Sequence, residues 1–225
     1  FLKTGVGFHS NDTRVVVANE GENILPAAYG IDIGTIIKPA SRLVVNAALW
    51  SLFLDQEFVY VGDAGIVEPS GRSRRVGVEL GARYQFNDWL YAYSDVNYTY
   101  ARSTDEPDGD DLIPLAPDFT AVGGINVDNL GAFSGSLAYR YIDDRAANED
   151  NSIIAEGYFI TDMNLNYKIN NWTYGIIIEN LFDTEWNETQ FATESRLFNE
   201  PAPIEEIHFT PGTPFFIRGK IAVTF

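Results

Sequence analysis

The sequence predicts an all-β chain: an antiparallel up-and-down meander of about ten long strands, part of a transmembrane β-barrel or a small one closed on itself. Three observations predict it. Apolar and polar residues alternate with period two along ten segments, several of these run far beyond the usual globular strand, and tight turns alternate strictly with long connections. Composition agrees: 14% aromatic residues, 12 Tyr and 15 Phe against a single Met favour strand over helix.

The segments follow in order at 1 to 9, 27 to 37, 42 to 61, 72 to 86, 89 to 102, 118 to 127, 131 to 143, 156 to 169, 172 to 182 and 214 to 225. In 72 to 86, one face carries Val76, Val78, Leu80, Ala82, Tyr84 and Phe86, and the other Arg75, Gly77, Glu79, Gly81, Arg83 and Gln85. In 156 to 169, Phe159, Thr161, Met163, Leu165, Tyr167 and Ile169 oppose Ile160, Asp162, Asn164, Asn166 and Lys168. The closing segment repeats the pattern, with Phe215, Ile217, Gly219, Ile221, Val223 and Phe225 against Phe216, Arg218, Lys220, Ala222 and Thr224. Each strand therefore has one apolar and one wet face.

The connections sort the ends of the strands. "KPAS" (38 to 41), "ND" (87 to 88), "DNLG" (128 to 131) and "NN" (170 to 171) are tight turns built from Asn, Asp, Gly and Pro. The others, 10 to 26, 62 to 71, 103 to 117, 144 to 155 and 183 to 213, are long and carry much of the acid and proline. All tight turns thus fall at one end and all long loops at the other, the arrangement of outer-membrane barrels. Lipid demands that every backbone group be paired, which an antiparallel meander closed into a barrel achieves. Strands of up to 20 residues are longer than the 5 to 6 common in globular sheets, and spanning a bilayer takes about 9 to 11. Trp89, Tyr91, Trp172 and Tyr174 sit beside the tight turns, and Tyr98, Tyr100, Tyr139 and Tyr141 near the long loops, as two interfacial girdles require, with some pointing inward by parity.

Charge narrows the function. A net charge of −17 excludes nucleic acid as a partner, since phosphate contacts need clustered Lys and Arg. The chain has no cysteine, so disulfide frameworks and thiolate metal sites are excluded. No run of about 18 apolar residues is present, so no transmembrane helix is expected. The opening FLKTGVGF reads as strand rather than leader, so the chain is expected to be a piece of a longer one or a mature product.

The closing PFFIRGKIAVTF resembles the last strand of outer-membrane barrels, whose terminal aromatic residue is read by the barrel-assembly machinery; the resemblance makes Phe225 an assembly signal. Further upstream, RRVGVELGARYQFNDWLYAYSDVNYTYA (74 to 101), IPLAPDFTAVGGI (113 to 125) and IIIENLFDTEW (176 to 186) resemble the C-terminal barrel half of TonB-dependent outer-membrane receptors. The most specific element is Asn180, Leu181, Phe182 and Asp183 followed by Trp186. That family resembles a barrel of about 22 strands filled by an N-terminal plug, so residues 1 to 225 are expected to be its C-terminal barrel portion, without plug or N-terminal strands. The resemblance implies an outer-membrane location, a lipid bilayer around the barrel, a TonB-type coupling protein reached through the missing part, and energy-coupled uptake of a scarce nutrient such as a ferric siderophore.

For ligand capture, the long-loop end is where specificity is expected, because loops on a rigid scaffold carry binding. Candidate contacts to a small anionic metal chelate are Arg14, Arg72, Arg75, Arg145 and Arg196, with His9 and His208. Glu79, Arg83, Asn164 and Asn166 are expected to line a lumen or meet the plug. No cofactor and no metal site is expected: the two histidines lack the ligand spacing of a zinc centre, and DEPDGDD (105 to 111) lacks the spacing of a calcium loop. No catalytic residues are assigned, since no nucleophile elbow is present. The rival reading is a self-contained outer-membrane barrel acting as a protease, lipase or adhesin.

Overall fold

The structure, a computed structural model, describes residues 1–8, 17, 25–56, 58–61, 66–69 and 71–225. Its strands, in chain order, are β1 Leu2–Phe8, β2 Ala27–Ala40, β3 Leu43–Leu54, β4 Phe58–Val61, β5 Ile66–Pro69, β6 Ser73–Gln85, β7 Leu90–Ser103 and β8 Phe119–Leu130. They continue with β9 Phe133–Ile142, β10 Arg145–Ala146, β11 Ile154–Ala155, β12 Tyr158–Ile169, β13 Trp172–Glu179, β14 Asn187–Ser195, β15 Ile204–Pro211 and β16 Phe216–Val223. Ten of them form one antiparallel sheet in the order β1-β2-β3-β6-β7-β8-β9-β12-β13-β16. Among the described residues the sheet is unclosed: β1 and β16 are its edges. This is the predicted meander, a partial barrel wall.

The four tight turns connect β2 to β3, β6 to β7, β8 to β9 and β12 to β13. Their chemistry is local. Asn129 (φ 56°), Gly131 (φ 61°) and Asn170 (φ 50°) take the left-handed backbone that Asn and Gly tolerate best. The Asn87 side-chain oxygen accepts from the backbone N–H groups of Trp89 (3.0 Å) and Leu90 (2.9 Å), closing the β6–β7 turn. Phe225 lies at this same end, because Val223 pairs with Trp172 and Thr224 donates its N–H to Asn171.

Two sequence expectations need correction. Segment 42 to 61 is not one strand: β3 stops at Leu54, and Phe58–Val61 pairs with Ile66–Pro69 in a separate hairpin. Both sheet neighbours end in that row, where Leu54 meets Ala28 and Ser73, so further residues have no ladder to join. Segments 144 to 155 and 183 to 213 are likewise more than irregular loop, since they hold the hairpins β10–β11 and β14–β15. An isolated long loop would leave its backbone groups unpaired; folding back on itself pairs them.

Register separates the faces. One row runs Val78, Tyr98, Phe119, and others carry Leu137, Met163, Ile178 and Ile217 on the same side. On this face large apolar side chains stand exposed, including Ile221 at 69%. Left in water, each would forgo about 1.5–3 kcal/mol of transfer free energy, so a contiguous face of them calls for an apolar solvent. Tyr98, Tyr100, Tyr139, Tyr141, Trp172 and Tyr174 share the apolar face, whereas Tyr91, in the row of Gln85 and Asn126, lies on the polar one. Tyr139 stacks on Phe159 (5.4 Å) and crosses Gly123, where a Cβ would sit 2.6 Å from its ring. Its hydroxyl then meets Ser94 Oγ at 2.8 Å, so the one polar tip of the ring is satisfied within the apolar face.

The polar face carries ion pairs between adjacent strands: Lys3 with Asp32 (3.9 Å), Arg83 with Asp95 (2.7 Å), Arg140 with Asp162 (3.8 Å) and Arg218 with Glu179. Asn166 donates to Asn164 (3.1 Å) in the same row system. The buried residues gather at the long-loop end, where Ala101, Ala147, Ala155 and Ile160 lie beside Ser73, Thr99, Asn148, Asn180 and Gln190. The interior is packed only where loops fold onto the sheet.

Candidate ligand-binding cleft

The long loops reach the polar face and enclose a cleft of about 620 Å³. Its floor is Trp50 on β3, Arg75 on β6, and Asn97, Thr99 and Ala101 on β7; its walls are Ile113–Pro117, Ala147–Glu149, and Phe191, Ala192 and Glu205 of the β14–β15 hairpin. Trp50 reaches across because its neighbour in the row is Gly77: a Cβ there would lie 2.4 Å from the indole. Trp50 Nε1 and Asn97 Oδ1 are buried in the floor and have no hydrogen-bond partner among the described residues. Asn97 Nδ2 donates to Thr99 Oγ1 at 3.0 Å, which orients the amide.

A second cleft of about 380 Å³ adjoins the first through Ala101, Ile113 and Ala116, and is lined by Arg102, Asp118, Asp144 and Arg145 among others. The partition between the two is held under strain. Leu115 has φ 63°, a left-handed backbone that costs a non-glycine residue about 1–2 kcal/mol, and its N–H donates to Ala146 O at 2.8 Å.

The hairpin wall is pinned at three places. The Gln190 side chain mimics a strand against Glu156, accepting its N–H (2.9 Å) and donating to its carbonyl (2.7 Å). Asn180, 2% exposed and at φ 50°, donates from Nδ2 to Thr184 O (2.8 Å) and Thr213 O (3.0 Å) and accepts from Thr184 N (2.9 Å). Asp183 Oδ1 accepts from Phe215 N (2.8 Å), and Trp186 donates to Thr213 O (3.0 Å) while lying flat over Gly212, which has no room for a Cβ. The Asn180–Trp186 motif thus ties the two stems of the loop together where β13 ends and β16 begins.

The residues expected to meet ligand are dispersed. Arg75 lines the first cleft and Arg145 the second. Arg72 is clasped by Asp105, through Nε (2.9 Å), Nη2 (2.5 Å) and its backbone N–H (2.8 Å). Those bonds hold the Asp105 carboxyl below the usual carboxylate range and raise the Arg72 guanidinium. Arg196 donates to Glu200 O (2.9 Å) at the hairpin tip, and His208 Nε2 lies 3.0 Å from Ser195 Oγ and 3.9 Å from Glu206. His9 and Arg14 lie outside the described residues. Sequence reasoning passed over Trp50, Asn97 and Gln190. Strand 43 to 54 is apolar on both faces, so parity does not single out Trp50; its signal is a Trp placed opposite a Gly, which only the register reveals.

Comparisons with known proteins agree with this architecture. The chain resembles the ferric yersiniabactin uptake receptor FyuA from Yersinia pestis, with TM-score 0.67 and 15% identity, over 100% of this chain and 34% of that one. It resembles the unliganded ferric citrate transporter FecA, with TM-score 0.71 and 16% identity, over 98% and 35%. It also resembles the siderophore receptor PiuA from Acinetobacter baumannii, with TM-score 0.70 and 15% identity, over 99% and 33%. The chain thus spans about a third of the length of these solved structures. No curated protein sequence matches it. The family model described as TonB dependent receptor-like, beta-barrel matches residues 27–181, more than half of the sequence, and the chain belongs to that family.

Proposed function

We propose that this chain is the C-terminal barrel wall of an outer-membrane receptor that takes up a scarce nutrient, such as a ferric siderophore, by energy-coupled transport. The long-loop end captures the ligand, and the apolar face sits in the outer membrane. The plug and the segment that meets a TonB-type coupling protein belong to the rest of the protein. One observation carries the reading: a chain of this family folds its long loops over the polar face to enclose a cleft, while its opposite face is apolar and exposed. Siderophore and iron transport by the similar structures, as their names state, supports the substrate class. The test is uptake of radiolabelled iron in cells that carry or lack the full-length receptor, with and without the proton-motive force. Receptor-dependent, energy-dependent uptake is expected. Uptake that is the same without the receptor, or that persists after the force is collapsed, overturns the reading.

A further inference from the structure

We infer that Arg145 is the oxyanion-binding residue of the long-loop end, receiving a carboxylate or phosphate group of the ligand in the second cleft. The inference deepens the receptor reading above and rests on it, naming the chemical group and the residue that meets it. Among the other described arginines, Arg42, Arg72, Arg83, Arg102, Arg140 and Arg218 each meet a carboxylate, Arg75 has a partner as well, Arg196 donates to a backbone carbonyl, and Arg74 stands exposed to water.

Arg145 differs. It is half-buried, its Nη1 is shut off from water, and among the described residues its side chain makes no hydrogen bond and no ion pair. Burial pushes its guanidinium down from the usual range, opposed by Tyr158 and Asp144. Taking part of a cation's surface out of water without a hydrogen-bonding partner is unfavourable, so a half-buried guanidinium left this way is suited to a partner that arrives later. A planar guanidinium suits a carboxylate or phosphate, which it meets with two parallel N–H···O bonds.

The surroundings fit. Asp144, its sequence neighbour, spends Oδ1 on the N–H of Gly157 (2.7 Å), and Arg102 is committed to Asp111 (3.4 Å). Asp118, which also lines the cleft, is exposed to water. The strained Leu115 holds the partition through Ala146, the residue after Arg145, so the backbone that carries the arginine is tied to a strained loop residue, as at many ligand sites.

The test uses the full-length receptor in detergent at low ionic strength, titrated calorimetrically with succinate and, separately, inorganic phosphate. At least one probe is expected to bind, and which one does identifies the oxyanion. Arg145→Gln is expected to weaken that binding about tenfold or more, Arg145→Lys to weaken it less, Arg42→Gln, at the tight-turn end beside Phe86 and Asp88, to leave it unchanged, and Asp118→Asn to tighten it. Without anion, Arg145→Gln should unfold at a midpoint no lower than the parent. Three results overturn the inference: neither probe binds, Arg145→Gln binds as the parent does, or Arg145→Gln is destabilised without anion, which makes the arginine a structural partner. Energy-dependent iron uptake alongside parent-like anion binding by Arg145→Gln keeps the transport reading and removes this one. Arg145-dependent binding by a receptor that takes up no iron does the reverse.

Discussion

Replacing Asn180 by Ala should release the stem of the β14–β15 loop. The side chain makes three hydrogen bonds, two donated to Thr184 O and Thr213 O and one accepted from Thr184 N, and it is 2% exposed. Net loss per bond is about 0.5–1.5 kcal/mol, and the groups left behind stay out of water. The left-handed backbone at φ 50° adds about 1 kcal/mol for Ala over Asn. The sum is about 3–5 kcal/mol, against which only a small side chain's entropy is recovered. The Asn180 backbone N–H donates to the Asp162 carboxylate (2.9 Å); that bond does not use the Asn180 side chain and survives, so the loss is confined to the stem. Hydrogen exchange at the Thr184 and Phe215 amides of the full-length receptor in micelles reads it directly. Protection should fall by on the order of 10²–10⁴-fold, while amides in β7 and β8 keep theirs. Asn180→Asp, which keeps the acceptor for Thr184 N and loses both donors, should fall between. If Asn180→Ala exchanges at the parent rate, the motif does not tie the stems and the reasoning fails.

Gly77→Ala should displace the Trp50 indole, because the new Cβ would sit 2.4 Å from its ring; a shifted tryptophan emission is expected, and an unchanged spectrum counts against the cleft floor as drawn. Tyr139→Phe should cost about 1 kcal/mol in lipid-embedded protein, since it orphans Ser94 on the apolar face, and adding Ser94→Ala should cost little more; additive losses in that double-mutant cycle would refute the 2.8 Å bond. The Asp105 carboxyl, lowered chiefly by its bond from Arg72, should titrate below the range of a free aspartate. Because its folded-state value is depressed, the Arg72–Asp105 clasp contributes above the unfolded value and is lost as pH falls through the folded one. A carboxyl titration by NMR that places Asp105 in the ordinary range would sink this.

Much of the sheet was legible before any coordinates, and the reason is local. In 72 to 86 and 156 to 169 the side chains alternate strictly, because each strand separates an apolar solvent from a polar one, and a one-residue slip would exchange the faces. The turns were legible because Asn and Gly at 128 to 131 and Asn at 170 to 171 favour the left-handed backbone by themselves. Segment 42 to 61 misled for the complementary reason: alternation says that residues favour strand, not where their partners stop. Asn180 to Trp186 was visible as a motif, but its work as a clamp depends on Thr213, some thirty residues away, brought back by the loop.

The cleft was least legible. Arg72, Arg75, Arg145, Arg196 and His208 look alike as isolated polar residues at the loop end, and which ones are already engaged is decided by Asp105, Glu200 and Ser195 arriving from other segments. The sequence by itself determined the strand period, the order of turns and loops, and hence the two ends and two faces of the sheet. Only the tertiary structure decided where strands end, how the loops fold onto the polar face, and that the half-buried Arg145 side chain has no partner among the described residues. Periodicity is set by a residue and its neighbours, while the use of a charge is set by whatever the chain brings within a few ångströms of it.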